Sequence, residues 1–387
     1  MPIKKTVNTT RVPIKIWTDD IEDISLNQAV VLANTMPIAP HLSLMPDVHL
    51  GKGMPIGGVL PLVNAISPNC VGVDIGCGLL AVKTDLTEID SNILGNIFRT
   101  IRQKIPIGQR GRRKVDNKIQ WSGFDNTPPI KAVQKELKNA KKQLGTLGSG
   151  NHFIEIQKGD DGFIWWMIHS GSRNIGFRVA NYYHKQALAK GIVSEDNNHL
   201  AYFLYDSKLG QEYYQAMSFC LDFAYQNRLA MSNDVTLAFA EHLDFKISQE
   251  INIHHNYAEP YFLENGDEII LHRKGATKAT KDTIGIIPGS QGSSSFIVKG
   301  KGEKDSFESC SHGAGRKYSR TKAKKVLNID ECVATMHDIG LKCDAGRFAL
   351  DEAKEAYKDI NHVMNNQNDL LEILIELQPY KYPAIKG

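Results

Sequence analysis

Two periods of apolar and polar residues alternate along this chain and divide it into strands and helices. Residues 71–84 read as a buried strand broken by a glycine-rich turn. Residues 163–168 form a short apolar run, expected as a strand that delivers His169 at its end. Residues 268–272, 283–287 and 295–298 have the same strand-like texture. Helical spacing predicts helices over 177–190, 211–230 and 235–257, and a final helix over 361–377. This mixture predicts an α+β (α/β mixed) fold, with central sheets flanked by helices. Neither an internal repeat nor a low-complexity linker interrupts it, and glycine-rich islands run from residue 51 to residue 315. If they form one site, the chain closes through long-range contacts, so a single domain over 1–387 is expected. The chemistry then belongs on loops at strand ends.

Composition narrows the class. The chain has 387 residues and is 42% hydrophobic, which is ordinary globular usage and enough for a sizeable core. No apolar run is long enough to span a membrane, and Met1-Pro2-Ile3-Lys4-Lys5 leads into no apolar secretion segment. A cytoplasmic location is expected. The six cysteines are scattered, with no C-x-x-C pair, which argues against a disulfide framework and a zinc ribbon. Net charge is only +3, so the chain is not uniformly basic. Positive charge is concentrated instead. Residues 99–118 hold eight Lys and Arg against Asp116 alone, and 316–325 hold six with no acid. Such clusters suit a polyanion, and residues 110–114 are expected to touch its backbone.

The islands carry the candidate chemistry. Asp74 and Cys77 sit three apart in a glycine-rich turn, where carboxylate and thiolate can converge on one divalent transition metal. His152, His169 and His272 each stand beside glycine or cationic residues at an expected strand end. One Cys, one Asp and three His exceed what a four-coordinate ion with open positions needs. Two ions sharing the thiolate are the natural solution, and such a pair can clamp a phosphate chain. Ligand softness alone points to zinc and leaves the ion's identity open. His184, His199, His242, His254, His255, His337 and His362 lie on helical or polar stretches and read as structural. His312 lies between small residues, in Ser311-His312-Gly313-Ala314-Gly315-Arg316. A phosphate can approach that backbone closely, Arg316 can hold it, and the imidazole can attack phosphorus. The loop 288–295 offers amides and hydroxyls to a nucleotide or phosphate. P-loop and Rossmann fingerprints are lacking.

These islands together resemble the RtcB-type RNA ligases, from about residue 40 to Gly387. The motifs that carry the likeness are MPDVHLGKG (45–53), VGVDIGCG (71–78), LGSGNHFIE (147–155), HSGSR (169–173), HRKGA (272–276), PGSQGSSSF (288–296), SCSHGAGR (309–316) and AYKDI (356–360). The resemblance implies a GTP-dependent ligase that joins RNA 3′-phosphate or 2′,3′-cyclic phosphate ends to 5′-hydroxyl ends, in RNA repair or tRNA splicing. It implies two Mn²⁺ ions on Asp74, Cys77, His152, His169 and His272, with the cysteine bridging, and His312 as the residue that carries GMP. Asn151, Arg173 and Arg316 match positions near the nucleotide phosphates or the RNA end. Gly313, Ala314 and Gly315 belong to the nucleotide-binding loop, and Phe153, Glu155, Ser290, Ser295, Tyr357 and Lys386 match positions around the guanosine. Some family members depend on an archease-type activator. The compact segment between the second and third islands and the basic 99–118 stretch suggest a short, divergent bacterial subgroup. Two other classes compete. A dinuclear phosphoesterase acting on RNA ends would release phosphate without nucleotide, and a non-catalytic RNA-binding protein would keep its activity after Cys77→Ala.

Overall fold

The structure is a computed structural model that describes residues 3–194, 197–346 and 348–387, with the side chains of residues 197–199, His199 among them, outside that description. Among the described residues, two large sheets dominate. An eight-stranded sheet runs in the order Ile247–His254, Gly78–Thr84, Ile164–Ser170, Phe153–Gly159, Leu371–Pro379, Ser295–Gly300, Ile284–Ile287, with Ile385–Lys386 added beside Phe153–Gly159. A six-stranded sheet runs Lys5–Val7, Ile14–Ile16, Leu42–His49, Ile56–Leu62, Glu268–Lys274, Asn256–Phe262. Strands and helices are mixed throughout, as an α+β chain requires.

The central strand explains the larger sheet. Ile164–Ser170 reads Ile-Trp-Trp-Met-Ile-His-Ser and is buried at every position. Because side chains alternate across a strand, its two faces meet different partners. Trp166 and Ile168 pack with Leu94, Ile97 and Ile101 of the helix Ser91–Lys104 and with Met231 and Val235 of the helix Lys208–Ala240. Trp165 and Met167 pack with Ile286, Ile297 and Leu377, which come from the far strands of the same sheet. One face is thus covered by helices, while the other curls onto itself. The helix Ser91–Lys104 is fixed at its start by Asp90, whose carboxylate accepts from the amides of Asn92 and Ile93. Such a cap contributes about 1 kcal/mol.

Most expected elements are present, including strands over 78–84 and 164–170 and the helix Arg173–Lys190. Two expected helices are not. The helix that begins at Lys208 ends at Ala240, and 247–254 is a strand paired antiparallel with Gly78–Thr84. Ile247, Ile251 and Ile253 fit a period of two as well as a helical one, and β-branched side chains favour the sheet. The expected helix over 361–377 is a short helix, Ile360–Asn365, followed by the strand Leu371–Pro379. The polar run Asn365-Asn366-Gln367-Asn368-Asp369 separates the two.

Candidate active site

Strand register gathers the candidate metal-ligating side chains. Gly78 pairs with Ser170 and with His254, while His169 pairs with Leu79 and with Phe153. Four strand ends therefore coincide. Cys77 precedes one, His152 precedes the next, His169 closes the third and His255 follows the fourth. The ends are held in place, because the His255 amide donates to the Cys77 carbonyl at 2.9 Å.

The ring nitrogens are oriented by the backbone. His152 Nδ1–H donates to the Leu147 carbonyl at 2.9 Å and His169 Nδ1–H to that of Asn151 at 3.0 Å. Each ring thus turns its Nε2 lone pair inward, the arrangement of a metal ligand with its outer partner in place. His152 Nε2 lies 3.0 Å from Asp74 Oδ2 and 3.6 Å from Cys77 Sγ. His169 Nε2 lies 3.2 Å from Cys77 Sγ and 3.4 Å from His255 Nε2. Two groups of three ligand atoms result, Asp74–Cys77–His152 and Cys77–His169–His255, and they share the thiol. The buried Nδ1 of His255 has no hydrogen-bond partner among the described residues. Burial pushes the Cys77 thiol well up, with Asp74 adding to the effect, and holds His169 and His255 well below the usual imidazole range. Neutral imidazoles and a buried thiol that ionises only beside a cation form a donor set that fits two divalent ions.

His272 is not in this cluster. It is fully buried on Glu268–Lys274, where Nδ1–H donates to the Ile270 carbonyl and Nε2 accepts from the Ser67 amide, each at 3.0 Å. Both nitrogens are used, and the place expected for His272 in the group of potential ligand atoms is taken by His255, which reads as structural in the sequence. The signal for His255 was its position: it follows a β-branched run and precedes Asn256, a strand end mistaken for helix.

His312 follows the strand Ser309–Ser311, which pairs with Ala276–Lys278. Its Nδ1 lies 2.6 Å from Asp47 Oδ2, and its backbone amide donates to the same oxygen at 3.1 Å. Asp47 is completely buried on Leu42–His49, a residue that sequence reasoning left inside its island without a role. A carboxylate only accepts, so Nδ1 carries the proton and Nε2 presents a lone pair. The His312 ring stands edge-on to His255, with centroids 4.9 Å apart. Gly275 fits against the His312 ring and Gly315 against the Asp47 backbone, and both adopt positive φ where a Cβ would collide.

Beyond His312 opens a cleft of about 590 Å³. Asn151, Phe153, Glu155, Ser290, Gly313, Ala314, Gly315, Arg316, Tyr357 and Lys386 all line it. Ser295 lies beneath the cleft, buried, accepting from the Gly289 amide at 3.1 Å and from Gln157 Nε2 at 3.1 Å. Arg173 stands behind the candidate metal group, donating to the Gly108 carbonyl at 2.9 Å and to Thr146 Oγ1 at 3.2 Å. Its φ of 60° is unusual for a residue with a Cβ. Arg316 is engaged within the wall, by Glu352, by the Asp351 carbonyl at 2.8 Å and by the Tyr357 hydroxyl at 2.8 Å. Glu352, absent from the sequence expectations, also accepts from Tyr357 and lies 3.4 Å from Lys386 Nζ. At the floor, burial pushes the Glu155 carboxyl up to about 7, although Lys386 and Gln157 oppose it.

Comparison with known proteins places the chain in a family. The family model described as tRNA-splicing ligase RtcB matches residues 28–383. The chain is 38% identical to the RNA-splicing ligase RtcB of Escherichia coli K12, over 98% of this chain and 99% of that protein. It is 38% identical, over the same shares, to RNA-splicing ligase RtcB1 of another Escherichia coli strain. It is 32% identical to the tRNA-splicing ligase RtcB of Nanoarchaeum equitans, over 93% of this chain and 92% of that protein. Likeness of this extent, along nearly the whole length, means that the chain belongs to the RtcB family.

Proposed function

We propose that this protein is a GTP-dependent RNA ligase that joins 3′-phosphate or 2′,3′-cyclic phosphate ends to 5′-hydroxyl ends through a GMP adduct on His312. The observation that carries the proposal is the His312–Asp47 pair, 2.6 Å long and set directly against the cysteine-centred donor group. A histidine nucleophile needs its ring held in one tautomer and in one direction, and the buried Asp47 carboxylate supplies both. The names of the relatives, RNA-splicing and tRNA-splicing ligases, support the substrate class.

In this reading His312 Nε2 attacks the α-phosphorus of GTP, an N–P bond forms, the α–β bridging bond breaks and pyrophosphate leaves. Asp47 stabilises the positive charge on the ring. A cyclic phosphate end is first hydrolysed, water adding to its phosphorus as the bond to the 2′-oxygen breaks. An oxygen of the resulting 3′-phosphate then attacks the guanylyl phosphorus, the N–P bond breaks and His312 is freed. The product is an RNA 3′-pp-5′G end. The 5′-hydroxyl attacks the 3′-phosphorus, loses its proton, and GMP leaves. Two Mn²⁺ ions on Asp74, Cys77, His152, His169 and His255 would neutralise phosphate charge and align the attack. Phe153, Glu155, Tyr357 and Lys386 would enclose the guanosine, with Ser290 and the 313–315 loop beside it. The Glu155 carboxylate suits the two adjacent N–H donors of guanine, which adenine lacks. RNA repair or tRNA splicing in the cytoplasm, with or without an archease-type activator, is the proposed setting.

Intact mass after incubation with GTP and Mn²⁺ tests this. A gain of one GMP, absent with ATP and in His312→Ala, is expected. Phosphate release from RNA ends without any nucleotide, and without an adduct, would replace the ligase by a phosphoesterase.

A further inference from the structure

Charge in this molecule is strongly polarised. Residues 99–142 contain 13 Lys and Arg against three acids, a balance of +10, whereas the whole chain carries +3. Everything outside that segment therefore sums to −7. The segment adjoins the metal-binding group. The Gly108 amide donates to the Gly148 carbonyl at 2.6 Å, and Arg173 donates to the Gly108 carbonyl at 2.9 Å. Arg112 is a pin, reaching Asp234 at 3.3 Å, Asp116 at 3.5 Å and the Gly145 carbonyl at 3.3 Å. It is not available to a ligand, which narrows the expectation made for 110–114. Arg110, Arg113 and Lys114 are exposed around it. The loop lies along the next helix, with the Arg112 amide on the Lys142 carbonyl at 2.8 Å and Gln143 Nε2 on the Gln109 carbonyl at 3.1 Å. The exposed band continues through Lys131, Lys135 and Lys138. It ends in a small cleft of about 230 Å³, where Lys135 meets Arg178, Tyr182 and Lys185 of the helix Arg173–Lys190. Phe177 and Tyr182 on that helix are 46% and 37% exposed.

We propose that this band is the docking surface for a single strand of the RNA substrate, leading from the metal-binding group along 110–142 to the helix Arg173–Lys190. Exposed cations at intervals follow a phosphate backbone, and exposed aromatic rings among them offer stacking surfaces that tolerate any base. Polarised charge also draws a polyanion to this side of an otherwise acidic molecule. The occupant rests on the RNA reading above, whereas the surface itself does not depend on His312 chemistry.

The test is binding of a fluorescent single-stranded RNA with a 3′-phosphate, by anisotropy across a salt series, with the full chain. One variant is Arg110→Glu, Arg113→Glu, Lys114→Glu, which leaves Arg112 intact. A second is Lys131→Glu, Lys135→Glu, Lys138→Glu. A control makes the same charge change elsewhere, as Lys4→Glu, Lys5→Glu, Arg11→Glu, at exposed positions. Each band variant should weaken binding roughly tenfold or more and flatten the log–log salt slope by about 2, at ~0.7 per lost contact. GMP adduct formation should be unchanged in a band variant, and the control should bind like the parent. Unchanged slopes in both band variants, or an equal loss in the control, would overturn the docking surface. Lack of an adduct in the parent would overturn the ligase reading alone, since RNA binding is measured separately.

Discussion

A histidine becomes a useful nucleophile through what its other nitrogen touches. Asp47 holds His312 by Nδ1 and by the backbone amide at once, so the ring has one tautomer and one direction. Asp47→Asn should keep the fold and the metal-binding group but slow adduct formation roughly 10²–10⁴-fold, by analogy with orienting carboxylates elsewhere. Single-turnover mass spectrometry would measure it, and an unchanged rate would remove Asp47 from the chemistry. The candidate metal ligands make a sharper contrast. His255→Ala should lower bound Mn²⁺ by about one ion per chain, and Cys77→Ala, which removes the shared ligand, should lose both. His272→Ala should keep both ions and show its cost in stability, because it leaves the Ser67 amide without an acceptor. Metal analysis after dialysis decides between the two histidines. Asp74, Cys77, His152 and His169 were legible because each sits among glycines that announce a turn. His255 was not, because a Glu-Ile-Asn-Ile-His run supports either period and its neighbours are not small. His272 misled for the opposite reason, with glycine and cations nearby but both nitrogens consumed by backbone.

One long helix does more for the site than any motif suggested. Lys208–Ala240 carries Asn227 and Arg228 into the interior behind the loops. Arg228 donates to the carbonyls of Gly76 and Ser170, both at 2.9 Å, and to Asn252 Oδ1 at 2.7 Å. Asn227 Oδ1 accepts from the amides of Gly145 and Thr146 at 2.8 and 3.1 Å, and its Nδ2 reaches the Gly171 carbonyl at 3.2 Å. Three separate glycine-rich loops, which have no regular ladder of their own, are thereby tied to one rigid element. Burial lowers the Arg228 guanidinium to about 10, so it stays charged at neutral pH. Arg228→Met should cost about 3 kcal/mol or more, because it orphans buried carbonyls and removes charge-assisted bonds. Thermal melting measures that cost, and metal titration should show weaker binding because the 74–77 turn loses its anchor. A melt within a degree of the parent would mean that the loops hold themselves. Sequence reading found the helix by its apolar stripe but assigned no task to a polar pair inside it. Its end was misplaced for a related reason: periodicity reports which face is buried, and the 247–254 strand buries a face too.

At the scale of the whole molecule, the last residues complete what the first sheets begin. Ile385–Lys386 adds to the edge of Phe153–Gly159, which sets Lys386 against Glu155 in the cleft floor and within 5.2 Å of the Phe153 ring centre. The likeness of Lys386 to a family position was legible, but the contact spans more than two hundred residues, and no local pattern predicts it. Its consequence is a pH dependence. Glu155 has a carboxyl raised from 4.5 to about 7 by burial, so the ligand-free protein holds it protonated below that value. In the unfolded chain the same group has already ionised above about 4.3. The folded state therefore binds the extra proton, and stability falls as pH rises from about 4.5 to 7 and beyond, by roughly 3 to 4 kcal/mol at most. Glu155→Gln should remove this penalty, melting higher than the parent at pH 8 and alike at pH 4.5. In the proposed function guanine binding would make the opposite demand, because its N–H donors would need the carboxylate. GTP affinity should rise with pH through 7, and below pH 7 binding should release close to one proton. Titration calorimetry in two buffers of different ionisation enthalpy reads that proton directly. A binding enthalpy independent of the buffer, with flat affinity between pH 6 and 8, would mean that Glu155 does not meet the base.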